Sequence, residues 1–187
     1  MTKQELKLQS YAAAAQSWFG FGLQVIPLLP GTKKTATKWS HWLNGLSQWR
    51  IVKYWSRYPT HEVGFIVGAN VIVLDADAPE SLAALVAIEK KFGITPNLVI
   101  QTRRGQHHYF RLALGAFAKN DSHGTADHPE RLDVKVKRSM VVLPPSTGKS
   151  ILVADAGNAG ELTEVSQEFI DAVFMHTFTN DRSVGNH

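Results

Sequence analysis

The spacing of apolar positions changes several times along the chain, and each change marks an element. An alanine-rich run from Leu6 to Phe19, with Leu6, Tyr11, Ala14 and Trp18 near helical spacing, predicts a helix stopped by Gly20 and Gly22. Leu23 to Leu28 reads as a short strand, and Pro27 restricts it to a sheet edge or a strand end. After the Pro30-Gly31 turn, Lys33, Lys34 and Lys38 sit in a polar loop. Leu46 to Tyr58 carries apolar residues at Trp49, Val52 and Trp55 or at Ile51 and Trp55, spacings of three and four that predict an amphipathic helix ended by Pro59.

Two β-rich runs follow, Val63 to Val67 and Val71 to Asp77, joined by Gly68-Ala69-Asn70 in a hairpin-like turn. Pro79-Glu80-Ser81 opens a helix that runs to Phe92 and stops at Gly93. Val99 to Thr102 and His107 to Leu112 are strands joined by Arg103-Arg104-Gly105. A polar loop containing His123 and His128 leads to Leu132–Lys137 and Met140–Leu143, read as a second hairpin, with Pro144-Pro145 breaking the sheet. Glu164 to Phe178 predicts a last helix. The pattern is α+β: a mostly antiparallel sheet with helices packed on it. Residues 1–178 are expected to form a single domain and 179–187 a flexible tail.

Composition narrows the class. Of 187 residues, 44% are hydrophobic and 19% charged, values of an ordinary globular chain rather than a disordered one. No run reaches the roughly 18 apolar residues of a membrane span, so no membrane association is expected. The opening MTKQELKLQS mixes charge and amides where a secretory signal is apolar. The absence of Cys removes disulfides, thiolate zinc sites and Cys nucleophiles together, and the expectation is a cytoplasmic protein. The net charge of +4 is unevenly spread. Residues 1–58 hold eight Lys/Arg against one acid, and residues 101–150 nine against four, whereas residues 59–100 and 151–187 are acidic. Such basic blocks attract polyanions, although they also serve solubility.

Three clusters could carry chemistry. In V-I-V-L-D-A-D, strand alternation puts Asp75 and Asp77 on one face. Adjacent carboxylates repel unless a divalent cation or a strong base lies between them, which suits hard Mg²⁺ or Mn²⁺; two solvated acids at a strand end are the plain alternative. In Arg103-Arg104-Gly105-Gln106-His107-His108-Tyr109-Phe110, a basic turn enters a strand with His107 and Tyr109 on one face and His108 and Phe110 on the other. Guanidinium and imidazole donors both suit phosphate oxygens. In Leu132-Asp133-Val134-Lys135-Val136-Lys137, Asp133, Lys135 and Lys137 share a face, either completing such a site or facing water.

Other features carry less. Thr147-Gly148-Lys149-Ser150 resembles the end of a phosphate-binding P-loop, but the Gly required five positions earlier is Leu143, so it is rejected. His61, His123, His128 and His176 lack paired ligand spacing. Ser146 lacks the context of a nucleophile. Trp39, Trp42, Trp49 and Trp55 are assigned to packing, with the reservation that one exposed indole could stack on a template base.

In their order, these pieces resemble the prim-pol (bifunctional DNA primase/polymerase) domain of the archaeo-eukaryotic primase superfamily. The likeness runs from Tyr11 to Ser146: an Ala-rich helix and V-I-P-L, a Pro-Gly turn with Lys33-Lys34, Y-W-S-R-Y-P, G-F-I-V-G before the D-x-D, T-R-R-G-Q-H-H-Y-F, L-D-V-K and V-V-L-P-P-S. The resemblance implies a sheet with an RNA-recognition-like element. It also implies template-directed nucleotidyl transfer with two Mg²⁺ or Mn²⁺ ions on Asp75, Asp77 and Asp133. Nucleotide phosphates would meet His107, Arg104, Gly105, Lys135, Lys137 and Ser146, and nucleic acid would meet Lys33, Lys34 and Arg103. Gln106 departs from the family pattern, where a basic residue is common, and is expected to leave the phosphate site one charge short; His108 replaces an aliphatic residue, and Gly105 a Ser found in some branches.

The implied partners are a single-stranded DNA template, an NTP or dNTP and, by analogy with related domains, a replicative helicase or initiator. The implied setting is replication of a plasmid, phage or integrated element. Two rivals stand beside this reading: a non-catalytic single-stranded nucleic-acid-binding initiation module, and a metal-dependent phosphoesterase using the same acids on water.

Overall fold

The computed structural model describes residues 10–43, 46–121, 128–155 and 161–179. The predicted start of the first helix at Leu6, His123 and the tail from residue 180 lie outside the described residues. Helix α1 (Tyr11–Gly20) begins where the Ser10 hydroxyl accepts from the Ala13 amide, and it buries Ala14, Ala15 and Trp18. Strand β1 (Val25–Leu28) and the short α2 (Ser40–Leu43) follow. In α3 (Gln48–Arg57), Ser47 caps Arg50 and the buried stripe is Ile51 and Trp55. The remaining elements are β2 (Glu62–Ile66), β3 (Val71–Ala76), α4 (Pro79–Phe92), β4 (Leu98–Gln101), β5 (Gln106–Leu112), β6 (Asp133–Lys135), β7 (Met140–Val142), β8 (Ser150–Ala154), β9 (Glu164–Val165) and α5 (Gln167–Thr179). Helix α4 ends as expected, with Gly93 in the left-handed conformation at φ 65°.

The strands form two sheets. A three-stranded antiparallel sheet runs β1-β2-β7, with Pro27 on its edge strand. The larger sheet runs β6-β3-β5-β4-β8 with antiparallel neighbours, and β9 pairs in parallel with the end of β5. Because β5 lies between β3 and β4 and opposes both, β3-α4-β4 is a split βαβ unit of the RNA-recognition-like kind. The fold is α+β, as the hydrophobic pattern indicates.

Strand pairing differs from the expected hairpins. β2 does not pair with β3, nor β6 with β7; instead β2 pairs with β7 in the small sheet and β3 with β6 in the large one. All five residues of β2 are buried, so its sequence lacks the alternation that would name a neighbour. The β6–β7 link passes through Arg138 at φ 70°, and it too crosses between sheets. Strand β8 was not anticipated from the sequence, and the first two residues of the predicted last helix are β9.

Each face of the larger sheet has its own core. Ile72, Leu74, Phe110 and Val134 pack with Leu85 of α4 and Phe169 and Ile170 of α5. On the opposite face Val73, Ile100 and Tyr109 pack with Phe65, Ile26, Trp18 and Trp55. The Trp18 indole donates to the Pro144 carbonyl at 2.7 Å, tying α1 to the chain beyond β7. His108 faces the helices, where its Nδ1 lies 2.6 Å from buried Glu89 of α4, while its neighbour His107 faces the small sheet.

Gly105 closes the turn between β4 and β5. A Cβ there would lie 1.7 Å from the Ala76 carbonyl oxygen, so only glycine lets the turn lie against the end of β3. Gly105→Ala is therefore expected to destabilise the protein by about 2 kcal/mol or more, a fall of roughly 4–8 °C in Tm. Thermal denaturation checks this, and an unchanged Tm would show that the turn is free to move.

Candidate active site at the mouth of the two sheets

Register brings distant residues together. Asp75 of β3 sits directly opposite His107 of β5 on one side and Asp133 of β6 on the other. Directly opposed residues of antiparallel strands project to the same face, with Cα atoms about 4.5–5.5 Å apart. That face is the one that carries Val73 and Tyr109, so the row opens toward the small sheet. Asp77 follows Asp75 just beyond the end of β3.

An open cleft of about 370 Å³ lies here, lined on its acidic side by Asp75, Asp77 and Glu62 and on its basic side by Lys33, Arg103, Arg104, His107 and Lys149. The basic turn is pre-shaped: the Thr102 hydroxyl accepts from the amides of Arg104 and Gly105 at 3.2 and 3.0 Å. The backbone amide of Gly105 is thus used inside the turn, and the residue contributes shape. His107 is buried, and its Nε2 lies 3.3 Å from Asp75 Oδ1 and 3.4 Å from Lys149 Nζ.

Charge balances inside the row. Burial pushes the Asp75 carboxyl up, but His107, Lys135 and Lys149 together outweigh it and hold the group below its ordinary value. Burial also pushes the Lys149 ammonium down, opposed by the Asp75 carboxylate. Tyr109, beneath the row, is driven far up by burial and by the charge of Asp75, so its hydroxyl stays protonated. Asp77 pairs with Arg104, and Asp133 with Lys135 at 2.8 Å.

Among the described residues, no three of His, Asp and Glu form a ready metal-binding group. The donor set nevertheless fits a hard divalent ion. It offers carboxylate oxygens, and Asp75 Oδ1 is buried with only the long 3.3 Å approach of the His107 imidazole, short of a well-formed hydrogen bond. The present partner of Asp77 is a surface side chain, Arg104 being 71% exposed, and an exposed pair of that kind is weak.

Several sequence-derived candidates stand elsewhere. Ser146 is 1% exposed, and its hydroxyl accepts from the Val63 amide and donates to the Val63 carbonyl, so it ties the loop after β7 to β2 and does not line the cleft. Lys137 is exposed at the end of β6, outside the cleft lining, and so is Lys34, whereas Lys33 reaches the cleft. Gln106 turns to the helix-facing side beside His108, so the charge expected to be missing at that position is not missing from the cleft.

Two cleft residues were not singled out from the sequence. Lys149 comes from the Thr147-Gly148-Lys149-Ser150 segment, which is no P-loop yet delivers its lysine to His107. Glu62, 3% exposed, accepts from the Thr147 hydroxyl and amide at 2.6 and 3.2 Å and so anchors that segment. A lone lysine after a glycine turn is the only signal, and its partner lies 42 residues earlier in the chain.

The Asp75 compensation has a pH signature. Its folded value lies below the ordinary 3.8, so its contribution to stability is complete above that value and is lost as pH falls through the lower folded value. Asp75→Asn is expected to flatten the loss of stability between about pH 5 and pH 2 in urea titrations. Equal acid limbs in the two proteins would remove the compensation account.

None of the curated proteins matches the chain. The family model for the N-terminal domain of bifunctional DNA primase/polymerase matches residues 15–164, from within α1 to the start of β9. That span includes both sheets, the row of Asp133, Asp75 and His107, and Lys149. With most of its length covered, the chain belongs to the bifunctional DNA primase/polymerase family, whose members act as DNA primases and polymerases.

Proposed function

We propose that this cleft carries out template-directed nucleotidyl transfer. A primer or nucleotide 3′-hydroxyl attacks the α-phosphate of an NTP or dNTP, a new phosphodiester forms, and pyrophosphate leaves. The product is a primer, an extended DNA strand or both, in replication of a plasmid, phage or integrated element. What supports this reading is the separation of charge at one place: Asp75 and Asp77 line the cleft, Asp133 stands abreast of Asp75 on β6 without lining it, and cations converge from the β4–β5 turn, β5 and the segment before β8.

Asp75, Asp77 and Asp133 would hold the divalent ions. When bound, such ions lower the pKa of the attacking hydroxyl and offset charge on the leaving pyrophosphate. His107, Lys149 and Arg104 bind the triphosphate, and their fixed approach supplies orientation. Lys135, beside Asp133, adds positive charge near the same phosphates. Lys33 and Arg103 extend the basic side of the cleft toward the path of the template.

Incubation with a primed single-stranded template, NTPs or dNTPs, and Mg²⁺ or Mn²⁺ tests the reading. Extension is expected; strand binding without synthesis points to a non-catalytic module, and degradation to a phosphoesterase. Asp75→Ala and Asp77→Ala are expected to lower synthesis at least about a hundredfold without loss of fold. Either variant synthesising like wild type would refute the carboxylate assignment. Lys149→Met is expected to raise KM for the nucleotide roughly tenfold with a smaller effect on template binding. An equal loss of both would count against a phosphate role for Lys149.

A further inference from the structure

Helix α3 carries a second basic surface, separate from the cleft. At about 100° per residue, Trp49, Lys53, Arg57, Arg50 and Tyr54 fall within an arc of about 140°, and the buried Ile51 and Trp55 lie on the other side. Against α2 and the preceding loop this stripe borders a groove of about 230 Å³. Arg50, Lys53 and Arg57 line the groove, buried Trp42 is at its base, exposed His41 and Tyr58 are at its rim, and among the described residues no Asp or Glu contributes to it.

The cations are assembled with rings. Arg50 lies 5.6 Å from the centroid of Trp42, and Lys53 lies 4.6 Å from that of Trp49. Tyr58 stacks on His61 with an interplanar angle of 10°, which holds the phenol in place. Trp49 is 68% exposed, a large cost for an indole on a helix that already buries another tryptophan. A face kept only for solubility mixes signs, yet no Asp or Glu occurs between Glu5 and Glu62. Cations alternating with exposed ring planes match phosphates alternating with bases; an acidic protein surface would use the charges and leave the rings idle.

We infer that the α2–α3 groove is a docking surface for single-stranded nucleic acid, in which Arg50, Lys53 and Arg57 take phosphates while Trp49 and Tyr58 stack on bases. The inference rests on the proposed polymerase reading only for the role of the strand, which is the template on its way to the cleft. One loop joins the two places: Gly31, Thr32 and Lys33 line the cleft and Thr37 lines the groove. Four residues span at most about 14 Å, a gap that a few nucleotides bridge.

Fluorescence anisotropy of a labelled oligo(dT) of about 20 nucleotides, with the full chain and no nucleotide or metal, tests the surface. Lys53→Glu combined with Arg57→Glu is expected to weaken binding at least about tenfold and to lower the slope of log affinity against log salt by about 1–2. Trp49→Ala is expected to cost about fivefold or more, and Trp49→Phe to restore most of that. These side chains are exposed, and circular dichroism confirms that the variants fold. Wild-type affinity in the double charge variant would overturn the proposal, as would displacement of the oligonucleotide by poly-glutamate as effectively as by unlabelled oligo(dT). Primer extension separates the two readings. Weakened binding in the variants, with a wild type that never extends a primer, would keep the surface and sink the polymerase assignment. Normal extension with indifferent α3 variants would do the reverse.

Discussion

A carboxylate taken out of water has to find positive charge nearby, and in this protein that demand falls on Asp75. It sits near the end of β3 on the face of the larger sheet turned to the small sheet, largely buried, with His107 abreast on one strand, Asp133 abreast on the other and Lys149 arriving from the segment before β8. The neighbours outweigh the cost of burial, so the group stays ionised. Much of the surrounding architecture follows from that requirement. The glycine turn at Gly105 brings Arg104 to Asp77. Glu62 anchors the segment that carries Lys149. The Thr102 hydroxyl fixes the basic turn.

The two sheets divide the work. The larger one supplies the acidic row and His107, held from behind by α4 and α5 through a core in which His108 and Glu89 form a buried polar pair. The smaller one, with α1 and α3, covers the opposite face and leaves open only the end where the acids project. The exchange of arms between the expected hairpins matters here, because β2 and β7 leave one sheet as β3 and β6 enter the other. Membership in the bifunctional DNA primase/polymerase family implies primase and polymerase activity in general, and the charge layout within the cleft is the basis of the nucleotide and divalent-ion binding proposed for it.

Much of this was legible along the chain, for identifiable reasons. Period-two alternation in V-I-V-L-D-A-D and in L-D-V-K-V-K assigned Asp75 and Asp133 to faces, because a pleated strand allows no other arrangement, while Asp77 lies just beyond β3 and still lines the cleft. The same rule separates His107 from His108, and the two do point to opposite sides of β5. Gly93 and Pro59 ended helices where their backbone preferences dictate. Ser146 shows the limit of carrying a role over from a short segment: the residue type suits a phosphate contact, but both hydrogen-bonding capacities of its hydroxyl go to Val63, 83 residues away.

Taken alone, the amino-acid order determined most of the element types, though not β8 or β9, along with the faces of the strands, the uneven charge and the family likeness, since each of these depends on neighbours within a few positions. Tertiary structure decided which strands pair, where Lys149 and Glu62 go, that Gln106 and Ser146 turn away from the cleft, and that Trp49 stands in solvent beside Lys53. Those outcomes depend on contacts between segments tens of residues apart. Fully buried strands such as β2 carry no alternation to announce a partner, and an amphipathic helix rich in aromatic residues does not declare which of its rings the core will leave outside.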